Sequence, residues 1–420
     1  MFRTFRGPWS GIALFFSVFI VISCGPKQSS QWQSRSLEGG STSGNPVLFS
    51  ADLNADGVPE ILQGSPEDSH LTCWFYSKEN QTWQPFRIPC PLGLLAIEYL
   101  PHTPLTQTQE EVPNRRSLVL IIGQPSPAVL LLSIPDPDTE SFSDPAAWLA
   151  TPLPIPAGNW SQIATGDFNN DGLLDLVLAG ESIHTDLPGH PVVIWLTAPE
   201  GGGTAVSIGL TGSALALYTD DMEGDGDLDL LVVDQTAAAG SRGAYWFENP
   251  WPDDGSVDWK RNFITLSAHE PQHPDFIDLD GDGKSDLILP LLPASGGTGK
   301  LIAFKKLSAA AEVAWLPLPI TFQGGSEQVR VARLAPLDGD SRLDMVLQVD
   351  GSRPDTSSLI WIQQPDKESL ALPWKRHLIS PQFQGTLPLP ILVIDMDGDG
   401  KPDVLTQLPG SGPTWFQNPH

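Results

Sequence analysis

The stretch Phe276–Leu289 reads F-I-D-L-D-G-D-G-K-S-D-L-I-L, with Asp278, Asp280, Asp282 and Asp286 at positions 1, 3, 5 and 9 of a short loop. Gly281 and Gly283 lie among these carboxylates, and apolar, strand-like residues flank both ends. Alternate carboxylates at this density repel one another unless a cation sits between them. Oxygen-only donors select a hard ion, calcium before magnesium, because calcium accepts many oxygens in a flexible geometry. Gly283 at position 6 permits the sharp turn that wraps the chain back on the ion. An EF-hand shares this opening but needs a glutamate at position 12 and a helix on each side. Position 12 here is Leu289, and Leu287–Leu289 read as a buried strand. The loop joins two strands.

The phrase returns along the chain. Asp52-Leu-Asn54-Ala-Asp56-Gly57-Val58-Pro-Glu60 opens the series, followed by Asp167-Phe-Asn169-Asn-Asp171-Gly172-Leu173-Leu-Asp175 and Asp221-Met-Glu223-Gly-Asp225-Gly226-Asp227-Leu-Asp229. After the Asp278 copy comes Asp338-Gly-Asp340-Ser341-Arg342-Leu-Asp344, where Pro336 holds position 1 and Ser341 replaces the glycine. Asp395-Met-Asp397-Gly-Asp399-Gly400-Lys401-Pro-Asp403 closes it. Position 1 falls at 167, 221, 278, 336 and 395, a step of 54 to 59 residues, and the span from 52 to 167 is two such steps. A fixed period of this size marks a propeller or solenoid.

Each unit carries further shared phrases. An apolar strand follows the loop, as in Asp229-Leu-Leu-Val-Val. An aromatic strand comes next: Trp74-Phe-Tyr, Trp195-Leu, Trp246-Phe-Glu-Asn-Pro250, Trp361-Ile and Trp415-Phe-Gln-Asn-Pro419. A last strand opens on a second tryptophan, at Trp83, Trp259, Trp315 and Trp374. With the strand before the loop this makes four strands per unit, a propeller blade, and the tryptophans are wedges between blades. Leu94–Tyr99 and Leu118–Ile122 begin a second, degenerate blade whose polar loop, 103–116, lacks the acids and is expected to bind no ion. The last unit stops before its fourth strand, and Gln31-Trp32-Gln-Ser-Arg-Ser-Leu37 matches the missing phrase. The expected fold is therefore all-β, a closed seven-bladed propeller over residues 31–420 completed by its N-terminal strand.

Arg3 and Arg6 precede the apolar run Gly11–Ile22, and Val21-Ile-Ser-Cys24 resembles a bacterial lipobox. Residues 1–23 are thus expected to be a lipoprotein signal peptide, Cys24 the lipidated residue and 24–30 a tether, with a plain signal peptide or short anchor as the alternative. Gly25 after the cysteine points to the outer membrane. The formal charge of −27 is explained in good part by the loop acids. With no basic stripe, it argues against nucleic acid. Contact with the membrane is expected through the lipid alone, and the propeller is expected to be monomeric.

These loops and strand phrases resemble the FG-GAP/VCBS repeat family, the integrin-alpha-like propellers. The resemblance implies calcium bound by side chains at positions 1, 3, 5 and 9 and by the backbone carbonyl at position 7. The carbonyls are those of Val58, Leu173, Asp227, Lys284, Arg342 and Lys401. Five loops keep a full oxygen set, and Pro336 puts the sixth in doubt.

His269-Glu-Pro271-Gln-His273 matches H-E-x-x-H, but Pro271 in its middle rules out the helix a zinc protease needs. The pentapeptide is expected in a loop between blades. Cys73 and Cys90 flank a hairpin and, in an oxidising compartment, are expected to form a disulfide, two free buried thiols being the alternative. Two functions stay open: a non-enzymatic scaffold binding a glycan or protein, or a polysaccharide lyase or hydrolase. Either would use the face opposite the calcium loops, where Trp160, His269, His273, Arg330 and Arg333 are expected.

Overall fold

The computed structural model describes residues 31–420 apart from 42–45, 102–115, 124–125, 137–139, 157, 183–189, 199–201, 237–241, 251–257, 294–296, 308–312, 325–326, 352, 354 and 366–371. The expected signal peptide, Cys24 and most of the second blade's polar loop lie outside the described residues.

Seven antiparallel sheets follow one another along the chain, each a four-stranded meander, with a fifth short piece in two of them. Blades 1 to 6 span Val47–Pro89, Leu94–Pro152, Gly158–Leu210, Ala214–Leu266, His269–Pro319 and Val329–Gln384, and blade 7 spans Ile391–Gln417. The first strand of blade 1 packs on those of blades 2 and 7, which closes the ring. Every acidic loop joins the first strand of its blade to the second.

Why the sheets stack follows from the alternation within the second strands. In Asp229–Asp234 every residue is buried. Leu230 and Val232 pack with Val177 and Ile194 of blade 3, while Leu231 and Val233 pack with Leu287 and Leu289 of blade 5. Side chains alternate faces along a strand, so a strand covered on both sides reads as continuously apolar. Seven such clusters form, one per seam between neighbouring blades. Tryptophans wedge several of them: Trp160 and Trp195 between blades 2 and 3, Trp246 between 4 and 5, Trp374 between 5 and 6, Trp361 between 6 and 7, and Trp74 between 7 and 1.

The N-terminal segment supplies the outer strand of blade 7. Gln33–Ser36 pairs antiparallel with Pro413–Gln417, Arg35 opposite Trp415, and the guanidinium lies 5.0 Å over the indole. The chain then crosses into the seam with blade 1. There the Leu37 amide donates to the Pro413 carbonyl, 2.9 Å, and the Trp74 indole N–H donates to the Glu38 carbonyl, 2.8 Å. The amides of Gln63 and Gln407 both donate to the Ser41 carbonyl. The ring therefore has no free edge at its closure, where an unpaired strand would invite aggregation.

Two expectations are corrected here. His269–Pro271 is not loop but the start of the first strand of blade 5, paired with Leu291–Pro293. The strand breaks at residues 272–274, and His273 bridges instead to Val331 of blade 6. Cys73 and Cys90 are free, buried thiols. Cys73 lies opposite Phe86, whereas the Cys90 amide bonds to the Ser69 carbonyl. From residue 69 to 73 an extended strand advances roughly 13 Å. A disulfide needs its two Cα atoms within about 7 Å.

Candidate metal centres

Each acidic loop is shaped by its own carboxylates. Asp278 Oδ1 accepts the amides of Gly281 and Asp282, 2.7 and 3.1 Å, and Oδ2 accepts that of Gly283, 2.8 Å. Asp221 and Asp395 repeat this pattern. Asp52 and Asp167 accept the amides at positions 5 and 6. The turn demands a left-handed residue at position 6, as at Gly283, φ 84°, and at position 4 as well. Ala55 and Asn170 adopt that conformation at position 4 without being glycine, φ 60° and 53°. Ser341 at position 6 of the blade 6 loop does not. The amides of Val58, Leu173, Asp227, Lys284, Arg342 and Lys401 donate to the carboxylate at position 5, fixing the turn at position 7.

Three loops bring a cation-sized set of carboxylates together. One oxygen each from Asp221, Glu223 and Asp229 lies within 4.8 Å of the others, as do those of Asp278, Asp280 and Asp282, and of Asp395, Asp397 and Asp399. Oxygen donors at this spacing fit a calcium ion, which would hold the mutually repelling groups. In blades 1 and 3, position 3 is an amide: Asn54 donates to Glu60 Oε1, 2.6 Å, and Asn169 to Asp171 Oδ2, 3.0 Å. The loop of blade 6 fits less well, because Arg342 pairs with Asp340 and Gln363 donates to Asp338. In the loop of blade 5, the Lys305 ammonium pairs with Asp280 and, at 3.2 Å, with Asp282. Each cation lowers the repulsion in its own loop.

Position 9 does more than offer a ligand. Asp286 is buried, its Oδ2 accepting the Leu279 amide, 3.2 Å, and its Oδ1 the Lys306 amide at the end of the third strand, 2.9 Å. Asp175, Asp229, Asp344 and Asp403 likewise accept the amides of Thr197, Asn249, Gln364 and Asn418. Burial is the first cause that lifts these carboxyls, to about 6 for Asp175 and Asp286, about 7 for Glu60, Asp344 and Asp403, and about 9 for Asp229. The accepted amides pull each of them back down, while neighbouring carboxylates add to the rise.

The residues ending the third strand were not singled out by sequence, yet in blades 4 to 7 they tie the blade to the preceding loop. Asn249 Nδ2 donates to the carbonyls of Phe168 and Leu228, and Asn418 Nδ2 to those of Leu337 and Pro402. Gln364 reaches the Leu279 carbonyl, and Lys306 Nζ the Asp220 carboxylate and the Asp221 carbonyl. Position 2 of every loop is apolar and buried, at Leu53, Phe168, Met222, Leu279, Leu337 and Met396, and three of these, Phe168, Leu279 and Leu337, supply the receiving carbonyl. Both signals stood in the sequence, as the recurring Asn-Pro and the apolar residue after position 1.

The expected ligand-face residues are not brought together as one site. Trp160, 2% exposed, is a wedge whose indole N–H donates to the Pro156 carbonyl, 3.0 Å. Arg330 binds Asp350 in a fork, 2.9 and 3.0 Å. Arg333 donates to the carbonyls of Pro274 and Ala332, and Tyr218 also reaches Pro274. His273 pairs through its backbone with Arg330 and Ala332. Burial and the Arg333 charge push its imidazole down to about 4. The His269 amide donates to Ser267 Oγ, 3.0 Å. Among the described residues neither imidazole is hydrogen-bonded to a carboxylate. His273, Arg330 and Arg333 thus stitch the seam between blades 5 and 6.

The family model described as "FG-GAP-like repeat" matches residues 221–289, two of the acidic loops and the blade between them. No curated protein matches the chain by sequence. Among solved structures, BBS1N in complex with ARL6DN, soaked with lead, is similar with a TM-score of 0.52 at 13% identity, over 93% of this chain and 98% of that one. The mercury-soaked form of the same complex matches at 12% identity with a TM-score of 0.52, over the same shares of each chain. At such identities the likeness is one of fold. The chain is a seven-bladed β-propeller carrying FG-GAP-like repeats.

Proposed function

We propose that this protein is a calcium-stabilised lipoprotein of the bacterial cell envelope, anchored through Cys24, that serves as a non-enzymatic scaffold for a glycan or protein ligand. The observation that carries the reading is the gathering of three carboxylates in each of the loops at 221–229, 278–286 and 395–403. An ion there would be bound by the folded state alone and would stabilise it by mass action. The loops are knitted to the neighbouring blade through position 9 and the end of the third strand, so ion binding would stiffen the ring as a whole. On the opposite face, the side chains best suited to acid–base chemistry are engaged in seams between blades, which favours recognition by surface shape over catalysis.

The test is thermal unfolding of the full chain with millimolar calcium and with chelator, paired with a glycan array probed in calcium. A large drop in melting temperature on chelation is expected, since extracellular calcium modules bind at ~10⁻⁴–10⁻³ M. Equal melting temperatures would remove the stabilising role. Cys24→Ala should release the protein from membranes, and its retention there would remove the anchor.

A further inference from the structure

A second kind of site lies where the calcium pattern fails. In blade 6, Pro336 stands at position 1 and the guanidinium of Arg342 holds Asp340. Beside this loop His377, on the outer strand Lys375–Leu378, is the cross-strand partner of Trp361. The two rings stack at 4.1 Å and 11°. The imidazole of His420 approaches from blade 7, 5.4 Å from Trp361 and 6.3 Å from His377 between ring centres. His377 Nε2 is buried and makes no hydrogen bond.

We propose that His377 and His420 bind one borderline divalent transition ion, zinc or copper(II). Imidazole nitrogen favours these ions, whereas calcium requires oxygen. A nitrogen–metal bond of ~2.1 Å places each ring centre ~3.2 Å from the ion, so two rings sharing one ion lie at most ~6.4 Å apart. The observed 6.3 Å is inside that limit, and a small swing of the exposed His420 brings the rings to a tetrahedral angle. Trp361 forms an apolar wall on one side of the imidazole and keeps water from that flank.

Asp338 favours a cation at both rings and Lys375 opposes one at both, while Lys401 opposes one at His420 and His420 opposes one at His377. Lys401 is itself paired with Asp399 at 3.8 Å. Burial, foremost, with Lys375 beside both rings, holds both imidazoles below their usual range, so both are neutral ligands at neutral pH.

The experiment is titration of the full-length, calcium-saturated protein with copper(II), read by electron paramagnetic resonance, and with zinc, read by calorimetry. One ion per chain is expected, with nitrogen hyperfine structure from two imidazoles, and His377→Gln and His420→Gln should each weaken it at least about tenfold. His420 is exposed, so its variant should keep the wild-type melting temperature without metal and isolates ligation from folding. No binding at ~100 μM ion, an affinity unchanged in either variant, or a spectrum with oxygen ligands alone would overturn the proposal.

Discussion

The side-chain amide of Asn249, in blade 4, donates to the carbonyl of Phe168, in the acidic loop of blade 3, at 2.9 Å. The same residue gives its backbone amide to Asp229, 2.8 Å, in the loop of its own blade. One asparagine thus links two consecutive loops, and Asn418 repeats the arrangement between blades 6 and 7. Asn249→Ala or Asn418→Ala should therefore cost about 1–3 kcal/mol, because each leaves one buried and one half-buried carbonyl without its donor. Urea unfolding measures it, and a loss below ~0.5 kcal/mol in both would contradict the linking role.

Closure of the ring depends on a small residue at Gly40. A Cβ there would stand 2.4 Å from Pro413 Cδ and 3.0 Å from Gln63 Oε1. Gly40→Ala should destabilise by about 1–3 kcal/mol through overpacking of the seam between blades 7 and 1. Limited proteolysis should then cut the N-terminal strand faster than in the wild type.

The acidic loops should differ in weight. Asp395 accepts three backbone amides and stands among three carboxylates that fit an ion, whereas Asp340 already has Arg342 as a partner. Asp395→Ala should lower the melting temperature in calcium far more than Asp340→Ala. With chelator present part of the Asp395→Ala penalty should remain, because the loss of the amide bonds is independent of the ion. Identical melting temperatures for both variants in calcium would undo this ranking.

His273 adds a pH dependence of definite sign. Its imidazole titrates near 6.5 in the unfolded chain and near 4 in the folded one. The stability it contributes is complete above pH 6.5 and is lost as pH falls from 6.5 to 4, by at most ~3 kcal/mol. The difference between the wild-type and His273→Gln stability curves isolates this group from the carboxyls, whose raised values act in the opposite direction. A pH-independent difference over that interval would show that the imidazole is not held neutral.

The thiols of Cys73 and Cys90 should alkylate only after unfolding. Burial lifts the Cys90 thiol to about 11 and that of Cys73 well above its ordinary value, so neither offers thiolate at neutral pH. Two titratable thiols in denaturant without reductant, beyond Cys24, are expected, and their absence would restore the disulfide.

The sequence by itself determined the repeat, the blade count and the position of the loops, because all three are written locally. Five carboxylate-rich phrases at 54- to 59-residue steps, apolar strands behind them and a displaced tryptophan phrase at Trp32 each depend on neighbours in the chain. Only the tertiary structure decided what the loops lean on. The carbonyl that receives Asn249 is 81 residues away, and nothing in either phrase names the other until the blades are set side by side. The same holds for Arg330, Arg333 and His273, whose surface-like composition gave no sign that a break in the first strand of blade 5 would absorb them into a seam. Cys73 and Cys90 looked apposed across a hairpin until the strand register offset them. Local patterns fix which face of a strand is apolar, but the ring fixes which polar groups are left inside it, and those must find partners wherever the neighbouring blade provides them.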